Sequence, residues 1–271
     1  MKKIYLSLGI IAIVAIGAVG ATRSFFSDTE TSTGNTFTAG AIDLKIDSTQ
    51  HYNGNVCVWD ANLINPAGGP NGAWVWSGPE DSYPVPGTYC SGSWELKDLV
   101  LTSDKFFNFS DIKPGDKGEN TISLHVLNND AYVCAAVSGL TDFENDQTEP
   151  EASVDGTTGT NDGELSSTML WKVWRDDAST GSAIPGDNIY QDGETILTEG
   201  NPENGMLSVY DSTTSTGPLL ATGTGFLGVE WTLPSTSGNE TQTDSMTGDI
   251  SFQVVQSRNN TEFKCSDLIL Q

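Results

Sequence analysis

Positive charge is scarce in this chain of 271 residues: Lys and Arg total 12 against 36 Asp and Glu, a formal net charge of −24 at pH 7. So acidic a chain has little with which to displace counterions from phosphates, which argues against nucleic acid as a partner. Histidine is scarcer still, with only His51 and His125. Neither belongs to an H-E-x-x-H sequence, so a helical two-histidine zinc site is excluded, and His125 reads as an outward strand residue. There is no G-x-S-x-G elbow and no C-x-x-C pair, which removes the usual signatures of a serine hydrolase and of a structural zinc site. Nothing singles out two of the 36 acids as a glycosidase pair. Long runs of strong helix formers are missing too, while Gly reaches 29 and Ser, Thr, Asn and Asp are plentiful, so a helical bundle is disfavoured and an all-β fold is expected.

What is present starts with an export signal. Lys2 and Lys3 precede an apolar run over 4–21, after which the chain turns polar. Small residues stand at −3 and −1 for cleavage after Ala21 or after Ser24; an uncleaved span of about 18 residues is the alternative, at the lower limit for crossing a bilayer. Taking 1–24 as a signal peptide, signal peptidase is the processing partner and the membrane is met only before cleavage. Loss of Lys2, Lys3 and Arg23 carries the net charge from −24 to −27. Four cysteines in an exported chain read as two disulfides. Of the three pairings, Cys57 with Cys90 and Cys134 with Cys265 is preferred: the first closes a Gly/Pro-rich insertion, the second ties a middle strand to the C-terminal end.

Alternation of apolar and polar residues marks strands at Ile42, Leu44 and Ile46, at Ile122, Leu124 and Val126, and at Ile250, Phe252 and Val254. Further strands are expected over 56–59, 74–76, 96–101, 132–137, 169–174, 206–210 and 226–233. Turn residues separate them, among them Pro114-Gly115-Asp116, Asn128-Asn129-Asp130 and Asp192-Gly193. This spacing predicts a jelly-roll-like antiparallel β-sandwich. The stretch 142–164 carries eight acids and no base and is expected to be a solvated loop.

The segment that follows the signal is different in kind. Rich in Thr and Phe, it has no partner strand nearby in sequence. Its run from Phe26-Ser27-Asp28 to Phe37-Thr38-Ala39-Gly40, followed by Ile42-Asp43-Leu44, resembles the corresponding junction of the TasA/camelysin (CalY) family, whose exported members are processed by a SipW-type signal peptidase. Phe109 to Asp116 continuing to Leu124-His125-Val126 and Cys134, and Asp249 to Cys265 with Gln256-Ser257-Arg258-Asn259-Asn260, are similar to later parts of such proteins. The insertion between Ile46 and Trp94, with its cysteine pair, departs from the pattern. The resemblance implies a jelly-roll subunit of an extracellular fibre, a biofilm matrix fibre or a bundling pilus, in which the freed N-terminal strand of one copy fills a groove in the next. On this reading 25–40 is a donor arm, 41–271 is a single sandwich domain and the partner is a second copy, added head to tail. Phe25, Phe26, Ser27, Asp28, Thr29, Thr31, Thr33 and Phe37 are the arm's candidate residues, with Phe25 and Phe26 as apolar plugs. Strand addition to an open edge and non-closing head-to-tail contacts supply the physics.

Two other features point elsewhere. Asp176, Asp177, Asp187, Asn188, Asp192 and Glu194 gather oxygen ligands around an Asp-Gly turn, the chemistry of calcium, although as an EF-type loop the segment places Tyr190 at a ligand position. Seven Trp, including Trp74, Trp76, Trp171 and Trp174, suit either a core or a sugar-binding floor, so a secreted carbohydrate- or surface-binding module is the alternative function and a camelysin-like metallopeptidase the third. Asn108, Asn239 and Asn259 head N-x-S/T triplets and are glycosylation candidates.

Overall fold

The computed structural model describes residues 27–32, 36–38, 42–64, 71–100, 102–177 and 183–269. The signal segment, Phe25, Phe26, Thr33 and Leu101 lie outside them. Among the described residues no helix is long and apolar enough to cross a membrane.

Alternating residues form strands wherever one face can be buried. In chain order these are β1 (Ser27–Ser32), β2 (Thr36–Thr38), β3 (Asp43–Tyr52), β4 (Asn55–Asp60), β5 (Ala73–Ser77), β6 (Trp94–Lys97), β7 (Lys117–Leu127), β8 (Ala131–Phe143), β9 (Leu170–Arg175), β10 (Thr195–Gly200), β11 (Gly205–Tyr210), β12 (Thr224–Thr232) and β13 (Ser245–Gln256). A single-turn helix, α1 (Leu165–Thr168), precedes β9. The strands make a five-stranded sheet ordered β11-β8-β13-β1-β2 and an eight-stranded sheet ordered β10-β9-β12-β7-β3-β4-β5, with β6 also on β3. From β7 to β13 the chain changes sheet at every connection except β9 to β10, and all pairings are antiparallel. The fold is therefore the expected all-β sandwich of jelly-roll-like connectivity.

The core lies between the sheets. Leu44 and Ile46 of β3, Ile122, Leu124 and Val126 of β7, Leu227 and Val229 of β12 meet Val133 and Ala135 of β8, Val209 of β11 and Phe252 and Val254 of β13. β3 follows the alternation closely, its even-numbered residues from Leu44 to Tyr52 buried. β7 does not: Gly118 to Leu124 are all buried, because a loop over 183–194 covers the outer face of its sheet. The two disulfides are Cys57–Cys90 and Cys134–Cys265, the preferred pairing. The first holds the insertion after β3; the second joins β8 to the segment after β13, where Tyr132 stacks on Phe263.

Two expectations need correction, and one strand, β10, was not expected. The strand placed over 96–101 is shorter and earlier, β6 ending at Lys97, because the Asp104 carboxylate takes the Lys97 ammonium at 2.7 Å and the Val100 N–H at 2.7 Å and so bends the chain. β10 has no period-two signal, since it lies at a sheet edge with Ile196 exposed. The acidic stretch 142–164 is not a plain solvated loop: its first two residues finish β8, and Glu144 and Glu151 are buried.

Candidate functional site

The N-terminal segment is seated on its own chain. β1 lies antiparallel along β13, from Ser27 opposite Val255 to Ser32 opposite Ile250, and β2 folds back on β1 with Phe37 opposite Glu30. Of the candidate arm residues, Ser27, Asp28, Thr29 and Thr31 are thus paired with β13 and Phe37 with β1. The edge they occupy belongs to a strand whose Phe252 and Val254 are fully buried in the core. Its other edge is taken by β8. Strand addition at this edge satisfies a row of main-chain N–H and C=O groups that would otherwise be open to another chain.

The six residues proposed from sequence for calcium separate into different environments. Asp177 accepts from the buried Arg175 guanidinium at 3.1 Å and from the Tyr210 hydroxyl at 2.9 Å, so its charge is already balanced. Asp192 is exposed, and Asp187 closes its own turn by accepting from Ile189 N–H and the Gln191 amide. Asp176, Asn188 and Glu194 do come together under the 183–194 loop. There Asp176 accepts the N–H groups of Gly186 and Asn188, Glu194 accepts that of Gln191, and Asn188 contacts Thr121 and His51. Trp174 is wholly buried on this outer face, with Tyr190 edge-on to it. Gly228 across the strand pair makes room, because a Cβ there would lie 2.2 Å from the indole.

Glu119 of β7 is the residue that sequence reasoning missed. It faces the same loop, 7% exposed, beside His51 at 3.6 Å and opposite Glu230 of β12. Burial above all, and then the charges of Asp176, Glu230 and Asp187, push its carboxyl up to about 9, against a hydrogen bond from Thr121 that pulls it down. Asp176 is pushed up to about 7 by burial and by its hydrogen bond with Glu194, while burial lowers His51. An acid whose folded pKa is raised keeps its proton in the native state, so stability is greatest at low pH and falls as pH climbs from the ordinary carboxyl range toward 9. Glu119→Gln should therefore melt about 4 °C or more above wild type at pH 8 and equal to it at pH 5. Parallel thermal melts at the two pH values check this, and a variant less stable at pH 8 would show that an ionised Glu119 is needed there.

His125 is on the outer face as expected, tied between β3 and β12 by Asp47 at 2.8 Å and Thr224 at 3.1 Å. Asn108, Asn239 and Asn259 are all exposed. Trp76 and Trp174 are buried, and Trp171 packs on Phe107, so they do not form one platform. A groove of about 450 Å³ does open beside the Cys57–Cys90 disulfide, walled by Tyr52, Trp76, Tyr83, Tyr89 and Phe109, with Gln50 and Asn108 among its polar groups. Tyr83 and Tyr89 are exposed at its rim. Set against family models and against curated proteins, the chain matches none.

Proposed function

We propose that this protein is an exported structural subunit that polymerises by lending its N-terminal strand to the next copy, as the resemblance to TasA/camelysin proteins implies. The observation that carries the reading is the seat of β1: a strand at the very start of the described chain adds to the edge of β13 and reaches the rest of the sheet only through it. The same edge offers the same hydrogen bonds to a strand from a neighbour, and passing it on from copy to copy is a heterologous contact that does not close. The two disulfides fit an oxidising, extracellular setting. Electron microscopy of the chain without residues 1–24 tests the reading. Filaments are expected, more readily at moderate salt or low pH, where the −27 charge is screened or neutralised.

The aromatic groove favours a second reading, a secreted carbohydrate-binding module. Exposed tyrosines beside amide side chains suit the apolar faces and hydroxyls of a sugar. On this reading Tyr89→Ala should weaken binding to an insoluble polysaccharide about tenfold without lowering the melting temperature, as loss of one anchoring aromatic does. Equal retention of both forms across a panel of polysaccharides would remove it.

A further inference from the structure

Buried and half-buried carboxylates without counter-charges gather at a second place, where the 144–164 loop returns to the entry of β13. Glu144, just past β8, is 8% exposed, and neither of its carboxylate oxygens has a hydrogen-bond partner among the described residues. One oxygen each of Glu144, Glu164 and Asp244 lie within 4.8 Å of one another. Glu164 Oε2 and Asp244 Oδ1 are likewise without a partner. Glu151, fully buried nearby, accepts from the Thr243 hydroxyl at 2.8 Å through one oxygen and leaves the other unsatisfied.

The surroundings are built to hold this arrangement. Glu144 N–H donates to Thr160 C=O at 3.1 Å, and Glu164 N–H donates to Asp244 at 2.6 Å. Gly163 permits the close return of the chain, since a Cβ there would lie 2.9 Å from the Phe143 carbonyl and 3.1 Å from Asp244 Cγ. None of the 12 Lys and Arg falls within 142–164 or 239–244, and none of the ion pairs among the described residues involves these acids. Burial foremost, and then the neighbouring carboxylates, raises Glu144 and Asp244 and pushes Glu164 up to about 7. A buried carboxylate without a partner is costly, and it is relieved either by keeping its proton or by meeting a cation.

We propose that Glu144, Glu164 and Asp244 bind a calcium ion, stapling the 144–164 loop to the start of β13. The donors are all carboxylate oxygens, which selects a hard cation over zinc or copper. Oxygens within 4.8 Å of one another can share a single ion, and calcium accepts an irregular set of protein carboxylates where magnesium demands a near-ideal octahedron and keeps several waters. These are different residues from the Asp176 to Glu194 set, and the inference stands whether or not the chain polymerises.

The test is calorimetric titration of the EDTA-stripped protein with CaCl₂, paired with thermal melts, on wild type, Glu144→Gln and Asp244→Asn. Wild type should bind calcium and melt about 5 to 10 °C higher when free calcium exceeds Kd a hundredfold. Each amide variant should lose at least tenfold in calcium affinity. In EDTA each should melt above wild type, because a repelled, desolvated carboxylate has become neutral. If Glu144→Gln does not fold, Asp244→Asn gives the same readout. A wild type without a calcium response, a response that survives both variants, or MgCl₂ acting as strongly as CaCl₂ would overturn the assignment.

Discussion

A chain that begins at Ala41 should fold, stay monomeric where the longer chain forms filaments, and capture a synthetic peptide of residues 25–38. Among the residues whose burial is described, the core cluster runs from Ile42 onward and joins both sheets, and on that core the shortened chain is expected to fold. Deleting the arm leaves the edge of β13 from Ile250 to Val255 without its partner. Such an edge is a template for any strand of matching register, and the peptide supplies that strand without supplying a second domain. Within one chain the edge is already occupied by its own β1, so exchange with a neighbour requires release first, and growth should be slower than capture of the peptide by the truncated form. Replacing Phe25 and Phe26 by Asp should weaken assembly without unfolding the domain, since a buried aromatic contributes about 2 kcal/mol or more. Filaments from the truncated chain as abundant as those from the longer one, or a longer chain monomeric at every salt and pH, would defeat the mechanism and bring the aromatic groove forward.

Removing the Cys134–Cys265 bond should be the most damaging covalent change in the molecule. The bond closes a loop of 131 residues against 33 for Cys57–Cys90. In the chain-entropy model these correspond to about 5 and about 3.7 kcal/mol, the larger being a sizeable part of a typical total of about 5–15 kcal/mol. Its loss also frees a segment with few other ties: Cys265 N–H donates to Asp211 at 2.9 Å, Ser212 N–H donates to Phe263 C=O, and Phe263 stacks on Tyr132. Urea unfolding of the double variant Cys134→Ala/Cys265→Ala, beside Cys57→Ala/Cys90→Ala, measures both. A smaller loss for the Cys134 pair than for the Cys57 pair would mean that strain or residual denatured-state structure outweighs loop entropy.

The strands most legible in the sequence are those whose two faces meet different surroundings. Ile42, Leu44 and Ile46 alternate with Asp43 and Lys45 because one side of β3 is core and the other is not. β7 shows a clear pattern only near Ile122, Leu124 and Val126; what makes Glu119 and Thr121 buried is a loop some seventy residues later in the chain. Asp176 and Asp177 show the limit of local reading. Adjacent and chemically alike, they face different neighbours, one meeting Glu194 and two loop N–H groups, the other Arg175 and Tyr210. The acids of 142–164 looked solvated because composition records charge but not the return of Gly163 against Phe143, which buries Glu144. The β13 seat of β1 was equally illegible, since strand pairing across more than two hundred residues leaves no mark in either segment.

The long disulfide also decides how the molecule can stretch. When the chain is pulled by its ends, tension reaches Cys134 and crosses directly to Cys265, so the loop between them, a sequence separation of 131, carries no load and releases no length even after the sandwich opens. The Cys57–Cys90 bond shelters a second loop, of sequence separation 33. At about 3.5 Å per extended residue, the longer loop alone withholds roughly 450 Å of slack that a reduced chain would pay out. An oxidised molecule under load is thus a short tether, and reduction would turn it into a long one.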